Sequence, residues 1–273
     1  MRGATAGLPA TVYQKALYDR RWGLVAWMVT LWSLAVLVGS LYQVVGANPA
    51  IADMLENLPE SARLVIAAAP DLSTPAGFYD LEMFNFILPL VVSIVVILQG
   101  VGAVAGEEQA GTLDLLLSVP ISRRRTVAES FGAVATSSVL LASANAVGML
   151  AAGRMFDLEL TRAAVVEANV ALALFGVAVG SGALAAGSWI GRRGRALGLV
   201  ALGWLASYLV YAYSDLSAFL DSIKGLSLFY VYQGAHPVVN GLSARDAAAL
   251  MAASLAFLGL GVLGVNRRDL GVA

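Results

Sequence analysis

An all-α integral membrane protein with six spanning helices is the fold class this sequence predicts, and three observations carry the prediction. The 273-residue chain is 59% hydrophobic and 13% charged, with a mean hydropathy of +0.78, outside the range of soluble globular domains. Its charges are gathered into short clusters, leaving uncharged windows at 22–45, 83–106, 130–153, 168–191, 196–214 and 247–265. A hydrocarbon core about 30 Å thick takes roughly 20 helical residues, so every window is long enough to cross. Runs of this length do not suit barrel strands of about 10 alternating residues, and an open sheet would leave backbone amides unpaired in lipid.

The windows make one transmembrane domain over residues 1–273. Ahead of the first, Leu8, Val12, Tyr13, Ala16 and Leu17 share a helical face from which Gln14, Lys15 and Asp19 are absent, as in an amphipathic helix on the membrane surface. The first window is too long for a signal-peptide core and shows no A-x-A cleavage pattern, so it is expected to stay as a helix. In the outer loop, 46–80, Asn48 and Pro49 start a short helix carrying Ile51, Met54, Leu55 and Leu58, and Leu64, Val65 and Ala68 suggest a second. A packing role is expected for this loop. Thr74 and Pro75 read as the cap of a long helix entering the second span.

The loop at 107–122 follows that span. Gly111 allows a turn, and Thr112 can cap a short helix whose Leu113, Leu116 and Leu117 project from one side. Pro120 ends it, Ser122 caps the third spanning helix, and Glu107, Glu108 and Asp114 keep acid nearby. A loop needed only to reverse direction requires no exposed leucine row, so the row meets either the membrane interface or a partner protein.

Residues 225–244 are also uncharged, but Gln233, His236, Pro237 and Asn240 would burden a spanning helix, and a re-entrant or interfacial segment is expected. Small-xxx-small pairs occur at Gly102 and Gly106, Gly176 and Gly180, and Gly187 and Gly191, though Ala and Gly are abundant enough to produce them by chance. Of the aromatic residues Trp204, Tyr208, Tyr211 and Tyr213 in the fifth window, the last two are expected in an interfacial belt.

Basic residues set the orientation. Arg2, Lys15, Arg20, Arg21, Arg123, Arg124, Arg125, Arg192, Arg193, Arg195, Arg267 and Arg268 fall on one side of a six-span chain; Arg63, Arg154, Arg162, Lys224 and Arg245 fall on the other. The richer side is expected to be cytoplasmic, with both termini on it, in a multi-pass protein of the cell membrane. A seventh span at 225–244 would place Arg267 and Arg268 outside.

Several function classes are disfavoured. The chain has no cysteine and one histidine, and no H-E-x-x-H or G-x-S-x-G run, so no catalytic, cofactor-binding or metal-ligating residues are expected. A net charge of -1 argues against nucleic acid. An ion-coupled carrier usually places charges within its spans, and the windows hold none; Asn85, Gln99 and Asn145 can line a path or join helices.

The loop after the second span resembles that of permease subunits of export-type ABC transporters, the ABC two-type family, whose pattern is E-x-E-x-G-T-x-E/D-x-L-L-x-x-P-I/V-S/T-R. Glu107, Gly111, Thr112, Asp114, Leu116, Leu117, Pro120, Ile121, Ser122 and Arg123 match in register. Gln109 stands where an acid is common and Ser130 where many members carry lysine. The surface helix, the six spans, the re-entrant segment and Arg267-Arg268-Asp269-Leu270 extend the likeness. The resemblance implies a coupling helix over about 107–120 that docks on an ATP-hydrolysing subunit, with Glu107 and Glu108 in contact. It also implies a working unit of two permease chains, identical or different, with two ATPase chains in the lipid bilayer. Neither Lys15 nor Lys224 completes a G-x-x-x-x-G-K-S/T phosphate loop, so ATP hydrolysis is expected on a separate subunit. The expected function is ATP-driven export, with a non-transporting membrane scaffold or sensor as the alternative.

Overall fold

The computed structural model describes residues 11–44, 73–106 and 122–267. They form helices without strands, and six helices are long and apolar enough to cross a membrane. These are α1 (Val12–Val44), α2 (Pro75–Gly106), α3 (Arg123–Met155), α4 (Arg162–Ile190), α5 (Arg193–Tyr213) and, after three short helices, α9 (Ala244–Arg267). The short ones are α6 (Ala218–Ile223), α7 (Leu228–Gln233) and α8 (Pro237–Asn240).

The amphipathic segment before the first window is not a separate surface helix in its described part, from Val12 onward. It forms the opening turns of α1, because nothing between Tyr13 and Trp22 breaks a helix and propagation is easier than a second nucleation. Its apolar face turns to α3, where the Tyr13 hydroxyl pairs with Thr136 Oγ1 at 3.0 Å. The Glu129 carboxylate accepts from the Tyr13 amide at 3.3 Å, one of the orphan donors at the start of α1.

The caps read from sequence are in place. Thr74 Oγ1 accepts from the Gly77 amide at 3.1 Å with Pro75 at the first helical position, and Ser122 Oγ accepts from the Arg125 amide at 3.3 Å. α2 is not regular throughout. Asp80–Phe84 and Gly102–Gly106 are π-helical turns flanking a regular stretch, Ile87–Val101. At the end of α4, Gly191 takes φ +66°, a left-handed cap that turns the chain into α5.

Successive long helices run antiparallel, as where Arg20 near the start of α1 donates to Leu98 O late in α2 at 3.2 Å. Alternate ones run parallel: Gln43 Nε2 near the end of α1 donates to Phe156 O just beyond α3 at 2.7 Å, and Trp189 Nε1 near the end of α4 donates to Leu260 O late in α9 at 2.8 Å. One end of the bundle therefore collects Arg20, Arg21, Arg123–Arg125, Arg192, Arg193, Arg195 and Arg267; we call it the basic end.

α4 is the central post, packed against α2, α3, α5, α7, α8 and α9. Its most apolar stretch is 72% buried, against 6% for α5 at the periphery. Close approach depends on glycine here. A Cβ on Gly100 would lie 2.5 Å from Gly180 O, one on Gly176 would meet Ser138 and Val92, and one on Gly187 would meet the Val101 backbone. Gly106 makes no such contact. Residues 225–244 form no spanning helix: α7 and α8 are separated by a break at which His236 adopts φ +49°.

Candidate functional site

Trp204, Tyr208 and Tyr211 recur on one face of α5 and meet rings from two other elements, backed by a third ring from α4. The fully buried Phe229 of α7 lies 4.9 Å from Trp204, 5.2 Å from Tyr208 and 4.9 Å from Phe175 of α4, centroid to centroid, and Phe86 of α2 lies 5.0 Å from Tyr208. Two of the polar edges are satisfied: Trp204 Nε1 donates to Ser93 Oγ at 2.7 Å and the Tyr211 hydroxyl to Asn85 Oδ1 at 3.1 Å. Beside this cluster lies a recess of about 320 Å³, bordered by Phe175, Leu199, Trp204, Leu228, Phe229 and Phe257. Gly182 and Gly203 border it without side chains to fill it, and among the described residues none that borders it is charged. Such a wall offers ring faces and apolar contact and discriminates by shape.

At the end opposite the basic one, Asp80 is 1% exposed. Gln233 Nε2 donates to its Oδ1 at 2.7 Å, and His236 Nδ1 lies 2.8 Å from its Oδ2. The break between α7 and α8 is thereby tied to the π-helical turn of α2. Nearby, Glu167 Oε2 of α4 accepts from the Leu242 amide at 2.9 Å, fixing the chain leading into α9. An unpaired carboxylate at this depth would be costly, and the amide and imidazole compensate it.

Residues 16–265 match the model of a family described as the C-terminal domain of the multidrug efflux system permease Rv1217c. The chain belongs to this family. It is thus a multi-pass membrane permease of the efflux type, with six helices long and apolar enough to cross a membrane. No curated protein matches the chain.

The predicted coupling residues of this permease, Glu107, Glu108, Gly111, Thr112, Asp114, Leu116, Leu117 and Pro120, lie outside the described residues, as do the outer loop before Ser73 and the tail after Arg267. The structure places the two flanks of the loop, Gly106 and Ser122, at the basic end. Among the described residues no group of His, Asp and Glu side chains suited to a metal ion is present.

The three polar residues singled out within the windows have different fates. Asn85 accepts from Tyr211, and Asn145 Nδ2 donates to Asn169 Oδ1 at 2.9 Å, joining α3 to α4. Gln99 has no hydrogen-bond partner on either amide atom. Tyr211 is turned inward by Asn85 rather than standing in an interfacial belt, whereas Tyr213 is 50% exposed. Sequence reading missed Asp80 by assigning it to the outer loop. The cap at Thr74 was the available signal, since a helix begun there carries Asp80 in its second turn.

Proposed function

We propose that this permease is the membrane-spanning subunit of an ATP-driven ABC exporter, working as a dimer with separate ATPase subunits. The observation that carries the reading is the match of residues 16–265 to an efflux permease family, on a chain with no phosphate loop of its own. The motif from Glu107 to Arg123 supplies the coupling element, and the basic end, by its Lys and Arg content, faces the cytoplasm in the cell membrane. In this reading the recess between α4, α5, α7 and α9 forms part of the wall met by apolar substrates. Nucleotide-driven motion enters through the 107–120 loop and reaches the bundle by its two covalent flanks, α2 and α3.

Affinity purification of the tagged chain with its native neighbours in mild detergent tests this reading. An ATP-binding subunit is expected to copurify, and Glu107→Ala with Leu116→Asp is expected to release it and abolish nucleotide-dependent efflux. Copurification of a different protein, without ATPase activity, would replace the exporter reading with that of a membrane scaffold.

A further inference from the structure

At the basic end, α1, α2 and α3 enclose a second cavity, of about 140 Å³, bordered by Lys15, Asp19, Arg20, Gln99, Gly102 and Ser130. Its inner wall is chemically unusual. Gln99 and Ser130 are each 2% exposed, and three of their polar atoms, both on the Gln99 amide and the Ser130 hydroxyl, lack a hydrogen-bond partner. Burying an amide without partners costs about 1–3 kcal/mol, so side chains kept in this state imply something polar between them. A single water needs about 10–15 Å³ of such space, and this cavity has room for a larger group.

Charge and depth narrow what that group is. The mouth carries two cations and one anion, all contributed by α1. The Arg20 guanidinium is held across the opening by a 3.2 Å hydrogen bond to Leu98 O. It passes so close to Gly102 that a Cβ there would lie 2.8 Å from Nη2. Gln99 sits about 10 Å of helical rise inside Gly106, the last described residue of α2 at the basic end. Two cations fit phosphate oxygens; Asp19 fits an ammonium; the Gln99 amide and Ser130 hydroxyl can both donate and accept.

We propose that this cavity binds a phosphate ester that also carries an ammonium, supplied by the ethanolamine headgroup of a membrane lipid. Lys15 and Arg20 face the phosphate, Asp19 faces the ammonium, and Gln99 and Ser130 hydrogen-bond the buried part of the ester. The bound headgroup then pins the start of α1 to the π-helical end of α2. The inference does not depend on the energy source of transport, since it concerns a lipid site on the permease itself.

The test is native mass spectrometry of the full-length permease in detergent, with phosphatidylethanolamine, phosphatidylglycerol or phosphatidylcholine added singly, and with soluble phosphoethanolamine as competitor. We expect retention of phosphatidylethanolamine above the other two, and about a tenfold loss of that retention in Gln99→Leu and in Asp19→Asn. Gln99→Leu removes the unpaired amide and keeps the volume, so the variant is expected to stay folded, and its melting temperature reports that directly. Equal retention of the three lipids, or unchanged retention in both variants, would overturn the proposal and leave a water-filled cavity. Displacement of the lipid by equimolar phosphoethanolamine would overturn the lipid source and assign the site to a free metabolite.

Discussion

Asp80 shows how one buried side chain can organise a junction. Its two oxygens hold two residues of a segment distant in sequence, Gln233 and His236, and the second of these sits in a left-handed conformation rarely adopted outside glycine. Asp80→Ala would strand both partners and is expected to destabilise the permease by about 3 kcal/mol, while Asp80→Asn, which keeps the shape and part of the bonding, should lose about half as much. Chemical unfolding of the purified variants in a common detergent checks the order; equal stability of both variants and the parent would mean the contacts contribute nothing. The sequence carried the cap that makes this possible, Thr74 with Pro75, but not the partner. Asp80 and His236 are separated by most of the chain, and a lone histidine before a proline gives no hint of a carboxylate across the bundle. Gln99 is the converse case. It was legible as a polar residue in an apolar window, yet only three-dimensional packing distinguishes it from Asn145, whose partner Asn169 lies on the neighbouring helix.

At the scale of elements, helix approach is decided by where glycine is required, not by how often it occurs. Gly100 and Gly180 meet where α2 crosses α4, and a methyl group on Gly100 would fall within 2.5 Å of a backbone oxygen that cannot move aside cheaply. Gly100→Ala is expected to cost about 1–3 kcal/mol through overpacking, whereas Gly203→Ala, with nothing within 4 Å, should stay within about 0.5 kcal/mol of the parent. A parallel set of thermal melts with both variants decides the matter; helix propensity alone favours alanine at both positions, so an absence of loss in Gly100→Ala would overturn the packing argument. Counting small-xxx-small pairs does not separate these cases, because the pattern records spacing on one helix and the constraint lies in its neighbour. The amphipathic face before Trp22 failed for the same reason. Its apolar stripe was read correctly, but periodicity alone does not say whether the stripe meets lipid or α3.

For the whole molecule, the bilayer made the sequence unusually informative, since lipid permits few ways of satisfying the backbone and the six uncharged windows each became a long helix. Orientation rests on a different physical effect, the retention of Lys and Arg on one side, and it admits a direct test because the chain has no cysteine to remove. A cysteine placed at Leu226, 85% exposed in the turn after α6, belongs to the end opposite the basic one, and one placed at Gly194, which has nothing within 4 Å, belongs to the basic end. With a membrane-impermeant maleimide on intact cells, Leu226→Cys should label at once and Gly194→Cys only after permeabilisation. The reverse pattern would invert the bundle, place the Glu107 loop outside the cell, and remove the possibility of contact with a cytoplasmic ATPase. Labelling of both from outside would require an even number of spans between them, whereas α5 supplies a single crossing, so that outcome would count against α5 as a membrane-spanning helix.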